Sequence, residues 1–267
     1  MSTIIALANQ KGGVGKTTST IELATILTDL GKRVLTIDMD QQCNLTKNAD
    51  ADRSVPSIYD LFSKEDIDAD YINSAIQKTS AGYSIIAGSP EMSKADKTFD
   101  EATDVYLLND LLDALSEDFD YFLIDNAPAR NTALNMSYIA ADYFIMCADT
   151  GEDSIDGIDA IAKDMMKFHK SGKRSLSNAK ILGVIVTRFR DTNIGDAVLD
   201  IIKDKLETEV PDVIKPDEAP FVMRVRLAAA VDEAKMVHKP LQKYKKSSTA
   251  AIDYRYVVDE IIRRIEN

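Results

Sequence analysis

The sequence predicts an α/β fold, a doubly wound and mostly parallel sheet with helices on both faces. Three observations carry that expectation. Short apolar runs alternate with helix-period segments along the chain. Most of those runs are apolar without interruption, as strands buried on both faces are. The first of them opens directly into a glycine-rich turn with a helix behind it, an arrangement that builds a phosphate cradle.

The elements follow in order. Residues 4–8 read as the first strand, and residues 17–30 as the helix after the turn. That helix carries Ile21, Ala24 and Leu27 on one face and Gly31 where a left-handed C-cap belongs. Residues 34–37, 83–87, 121–124, 143–148 and 181–187 read as further strands, with helices over 107–115, 154–168 and 194–206 between or after them. In such a sheet, ligands sit at the carboxyl ends of the strands. No linker or internal repeat divides the 267 residues, and an apolar share of 45% suffices for a sizeable core. One domain over 1–267 is expected, with no N-terminal helix-turn-helix before the first strand. Lacking a signal-like start or a long apolar run, the chain is expected in the cytoplasm. Cys43 and Cys147 make no disulfide framework, and His169 and His238 offer no zinc spacing.

The turn Lys11-Gly12-Gly13-Val14-Gly15-Lys16-Thr17-Thr18 predicts a nucleotide-binding P-loop. Its glycines let successive backbone N–H groups face phosphate oxygens, while Lys16 reaches the β- and γ-phosphates and Thr17 ligates Mg²⁺. The common pattern asks for glycine at the position of Gln10, and the added cation Lys11 stands at the mouth of the loop. Two acids fall at neighbouring strand ends. Asp125 reads as the Walker B aspartate, holding Mg²⁺ through water, and Asp40 as a carboxylate that also reaches the ion through water and orients an attacking water. Asp38 is open to a structural or a direct role.

The run Ala8-Asn9-Gln10 before the loop, the segment Asp38-x-Asp40-x-Gln42-x-Asn44-Leu45-Thr46 and the segment Asp125-x-x-Pro128 together resemble the ParA/MinD family of deviant-Walker-A ATPases. Within it the chain is most similar to ParA-type plasmid and chromosome partition proteins. The resemblance covers nearly the whole chain. Residues 84–90 are similar to the family's third-strand loop, and Arg224-Val225-Arg226-Leu227 to its late nucleotide-proximal loop. It implies a slow Mg²⁺-dependent ATPase in which Lys16 and Thr17 serve their own subunit and Lys11 crosses a two-fold interface onto the partner's ATP. It also implies an ATP-sandwich homodimer, stimulation by a ParB-like centromere-binding partner and a nucleoid-associated location. Gln41 and Cys43 stand where proline and a small residue are usual, which predicts a less constrained loop. Asn126-Ala127 replaces a usual Thr-Pro. The base-contacting proline falls on Val222, leaving Arg188 and Met223 as the candidate adenine contacts.

A net charge of −12 argues against a surface that attracts DNA everywhere. From Ala219 onward, however, 10 Lys/Arg face 6 Asp/Glu, against 22 and 38 before it. Arg224, Arg226, Lys235, Lys239, Lys243, Lys245 and Lys246 form a candidate patch for duplex phosphates, without sequence readout. Two alternatives share the fold. A MinD-like membrane cycle would use the amphipathic segment 251–265, which Asp253, Asp259 and Glu260 oppose, so no membrane partner is expected. A cargo-positioning switch would act through protein binding.

Overall fold

A computed structural model of the protein describes residues 2–100, 102–169 and 175–266. Eight strands form one sheet: β1 (Thr3–Ala8), β2 (Val34–Asp38), β3 (Ile76–Lys78), β4 (Ser84–Ile86), β5 (Tyr121–Asp125), β6 (Tyr143–Ala148), β7 (Lys180–Phe189) and β8 (Phe221–Arg226). Their order is β3-β4-β2-β5-β1-β6-β7-β8, and every neighbouring pair but β3 and β4 is parallel. Winding runs outward both ways from β1, so the carboxyl end of β1 lies at a switch point of the sheet. The chain's P-loop begins there.

The central strands are buried on both faces because helices cover both. On one side Ile4, Ala6, Ile37, Ile124, Phe144 and Val184 pack with helices Leu107–Ala114, Thr132–Ala140 and Glu152–His169. On the other, Ile5, Leu7, Leu123 and Ile185 meet helices Lys16–Asp29 and Thr249–Ile265. Continuous apolar runs are what such two-sided burial requires.

Two strands escape a periodicity reading. β3 is three residues long and closes a hairpin onto β4 through Gly82, whose φ is +102°. β8 turns the expected late loop at 224–227 largely into an edge strand. It alternates buried Phe221 and Val225 with half-buried or exposed Val222, Met223, Arg224 and Arg226, since one long side has no strand beside it. Helix Ala229–Met236 follows it.

Helix Thr249–Ile265 buries Ala250, Ala251, Tyr254, Val257, Val258 and Ile261 against the core. Its apolar face is therefore occupied by this domain rather than available to lipid. Among the described residues, no helix is long and apolar enough to cross a membrane.

Candidate nucleotide site

The P-loop leaves the end of β1 and turns twice through left-handed backbone, at Gly13 (φ 78°) and Gly15 (φ 85°). A side chain at Gly15 would also sit 3.0 Å from Thr187 Cγ2 at the end of β7. Thr187 holds the loop from below, its hydroxyl donating to the Val14 carbonyl at 2.9 Å. Glycine is thus demanded twice over at position 15, by conformation and by contact.

A cavity of about 410 Å³ opens above the loop. Gly12, Gly13, Gly15, Lys16, Thr17 and Thr18 form its floor, and Asp40, Gln42 and Pro128 one side. Arg188, Lys235 and Lys239 also line it, as do the apolar Ile21, Val231, Ala234 and Leu241. Val14 instead packs in the core, so its contribution is backbone only.

Lys16 is almost fully buried and donates to the carbonyls of Asn9 (3.0 Å) and Lys11 (3.1 Å). Burial lowers its pKa, and the charges around it pull the other way. An ammonium held by carbonyls at the foot of an open cavity is poised to exchange them for phosphate oxygens.

Lys11 does not line the cavity. Its ammonium turns to Asp149, 3.2 Å away beyond the end of β6. Asn9 sets this direction: its Oδ1 accepts from the Lys11 N–H at 2.8 Å, and its Nδ2 donates to the Cys147 carbonyl at 2.7 Å. Asn9 belongs to the quoted motif, yet nothing in its residue type announced the role.

The strand-end acids separate by environment. Asp38 is fully buried and saturated, accepting from the Thr46 N–H and hydroxyl and from the Asp40 N–H. Thr46 in turn accepts from Gly88 N–H, so Asp38 ties the loop after β2 to the loop after β4. Burial pushes its pKa up to about 6 against those hydrogen bonds. These contacts give Asp38 a structural part in holding the two loops together.

Asp125, its register partner on β5, is the opposite case. Both its oxygens are buried without a hydrogen bond of good geometry, although the Thr17 side chain and the Lys16 charge favour its ionised form. Burial, and secondarily the Asp38 charge, push its pKa up to about 8. An unpartnered buried carboxylate is costly unless something binds it. With Asp125 beside Thr17 and Asp40 on the cavity wall, the donors are hard oxygens, as Mg²⁺ prefers. Among the described residues, no cluster of three or more His, Cys, Asp or Glu could cage a metal alone. An ion here would depend on phosphate and water, which is the usual habit of Mg²⁺.

Three expectations need correction. Met223 does not reach this cavity; it lies on β8, in a groove with Leu199, Arg224, Arg226 and Tyr256, because the segment is an edge strand. The loop after β2 is not loosened by Cys43, which holds φ 51° while 1% exposed. Burial pushes its thiol up to about 11, so it is a poor nucleophile. The basic residues, finally, do not form one free patch. Arg226 is paired with nearly buried Asp253 (2.6 Å), Arg224 with Asp191 (3.0 Å), and Lys243 with Asp29. Lys235 and Lys239 border the nucleotide cavity, and Lys245 and Lys246 are exposed beyond it.

The sequence reading missed Glu22. It is buried in the P-loop helix and accepts from the N–H groups of Leu241 (2.7 Å) and Gln242 (3.1 Å), anchoring the far wall of the cavity. Burial pushes its pKa up to about 7.

Residues 2–178 match the AAA domain family. An uncharacterized ATP-binding protein of Methanocaldococcus jannaschii is 32% identical over 78% of this chain and 74% of its own. The chromosome partitioning protein ParA of Caulobacter vibrioides is 27% identical over 98% of this chain and 94% of its own. Among solved structures, apo McdA from Cyanothece superposes with a TM-score of 0.81 at 21% identity, covering 98% of this chain and all of that one. At that identity the likeness is one of fold.

Proposed function

The chain belongs to the ParA/MinD family of P-loop ATPases, and from that premise we propose that it is a ParA-like partition ATPase. In this reading ATP and Mg²⁺ join two copies into a sandwich dimer that binds duplex DNA without sequence preference. Slow hydrolysis, accelerated by a ParB-like partner, resets it and moves plasmid or chromosomal DNA.

The observation that carries the nucleotide half is Asp125, a buried carboxylate without a hydrogen bond of good geometry, set beside Thr17 and Lys16. Thr17, with Asp40 and Asp125 acting through water, would hold Mg²⁺, which neutralises phosphate charge and orients the phosphates. Lys16 gives up the carbonyls of Asn9 and Lys11 to bind the γ-phosphate. The N–H groups of Gly12 to Thr18 face the remaining oxygens. Asp40, which also lines the cavity, orients the attacking water. Ile21, Val231, Ala234 and Leu241 offer a slot for the base, with Arg188 at its edge.

The dimer half rests on Lys11. A loop lysine that turns out of its own cavity can serve a neighbour's, and a γ-phosphate clamped by two chains gives the dimer an affinity that hydrolysis removes. For DNA, Lys245 and Lys246 with Lys235 and Lys239 are the better donors. Arg224 and Arg226 already have carboxylate partners.

Sedimentation with Mg²⁺ and ATP, compared with ADP, tests this. Association with ATP that Lys11→Ala abolishes, with nucleotide affinity retained, is the expected result. ATP-independent behaviour, or association untouched by Lys11→Ala, refutes the sandwich.

A further inference from the structure

A second cavity of about 410 Å³ lies on the same face of the sheet as helices Thr132–Ala140 and Glu152–His169, in the cleft between them. Nothing in the nucleotide reading uses it. Asp164 closes its inner end, with its side chain 7% exposed. Arg130 Nε reaches Asp164 Oδ2 at 2.7 Å, and Lys167 Nζ reaches Oδ1 at 2.7 Å. Both cations otherwise face solvent, their side chains 56% and 68% exposed.

Tyr138 also lines the cleft. Its ring is fixed between Phe144 and Phe168, at centroid distances of 5.1 and 5.4 Å, yet its buried hydroxyl has no hydrogen-bonding partner. A buried hydroxyl left so costs stability unless a ligand answers it. Burial, with the Asp164 charge, holds the phenol protonated, so it is a donor.

The polar groups left over in the cleft are mostly donors. Asp164 has both oxygens engaged, and Asp96 Oδ1 already accepts from the Thr132 N–H and hydroxyl. Arg130 retains guanidinium N–H groups beyond Nε, Lys167 retains two ammonium hydrogens, and Tyr138 and Asn135 add a hydroxyl and an amide. Two cations held on different oxygens of Asp164, together with a hydroxyl, match a ligand rich in acceptors.

We propose that this cleft binds a small organic dicarboxylate, one carboxylate on Arg130 and the Tyr138 hydroxyl, the other on Lys167, and that its occupancy is felt at the phosphate loop. The link is one residue long. Gln10 Nε2 donates to Asp164 Oδ2 at 3.3 Å, the oxygen that Arg130 also uses, and Gln10 immediately precedes Lys11. A ligand that draws Arg130 away leaves that oxygen to Gln10 and tightens the loop's outer end. This coupling rests on the nucleotide reading above; binding in the cleft does not.

Calorimetry at fixed ionic strength, with succinate and glutarate as probes and acetate, sulfate and succinamide as controls, tests it. The dicarboxylates should bind the whole protein at least about tenfold more tightly than any control, as loss of one charge-assisted contact predicts. Arg130→Ala and Tyr138→Phe should each weaken binding, and Tyr138→Phe should do so with a melting temperature no lower than wild type, since the hydroxyl it removes has no partner in the unliganded protein. Succinate should shift the affinity for ATP in the wild type and leave it unmoved in Arg130→Ala. Dicarboxylates binding no better than sulfate, or equally well to Tyr138→Phe, overturn the site. If ATP binds normally while the dicarboxylates do not, this inference alone fails; a wild type that binds no ATP fails the nucleotide reading instead.

Discussion

Two residues under the loop show how opposite demands shape one site. Gly15 has no freedom to change. Gly15→Ala would force a side chain into φ 85° and against Thr187, costing about 1–3 kcal/mol of stability together with phosphate binding. Thermal denaturation and nucleotide titration read both losses. Asp125 is the reverse, since its cost falls on the empty protein. Its folded pKa of about 8 lies above the unfolded carboxylate value near ~3.9. Between those values the folded state binds more protons, so stability declines as pH rises from about 4 to 8. Glu22, at about 7, adds to the same slope. Asp125→Asn should therefore raise the stability of the nucleotide-free protein at neutral pH by about 1–3 kcal/mol and flatten that decline. Denaturant midpoints across pH 5–8 measure it, and an unchanged slope would show that Asp125 has a partner in solution. Spacing alone placed both residues. What it could not convey was environment: Asp38 and Asp125 end strands in the same way, and the hydroxyl and N–H of Thr46 with the N–H of Asp40 separate a satisfied acid from an unsatisfied one.

Elements were legible where both faces are buried and illegible at the margins of the sheet. β1, β2, β5 and β6 announce themselves as apolar runs, while β8 interleaves Arg224 and Arg226 with Phe221 and Val225. On this strand the arginines are paired with carboxylates rather than free. Arg226 donates to Asp253 from Nε and a terminal nitrogen, and the Arg226 N–H reaches the same carboxylate, so strand and C-terminal helix are tied there. Arg226→Ala leaves Asp253 nearly buried without its cation, and should cost about 1–3 kcal/mol by denaturation whatever it does to DNA. Lys245→Glu with Lys246→Glu should leave the melting temperature unchanged yet weaken binding to random duplex and reduce its salt dependence. If the lysine pair has no effect on binding at low salt, the patch is not where DNA sits. Val257→Ala in the C-terminal helix should cost about 1–2 kcal/mol, since that face is core.

For the whole molecule, the arrangement around β1 sets what one copy can do alone. The cavity holds phosphate donors, two acids and an apolar slot, but the lysine at its mouth faces outward to Asp149. The glycine-rich turn made the phosphate site readable from sequence, whereas the direction of Lys11 depends on Asn9 bonding across to β6, a contact 138 residues apart in the chain. An enzyme that needs a second copy to complete its site predicts complementation between two dead variants. Lys11→Ala spoils what a subunit gives its neighbour, and Asp40→Ala what it keeps for itself. The most direct measurement is steady-state ATP hydrolysis by each variant separately and by their equal mixture. Each alone should be inactive, and the mixture should regain turnover, up to about the one quarter of wild type that random pairing would give by restoring one site in half of the dimers. A mixture as inactive as its components would contradict a lysine acting across the interface.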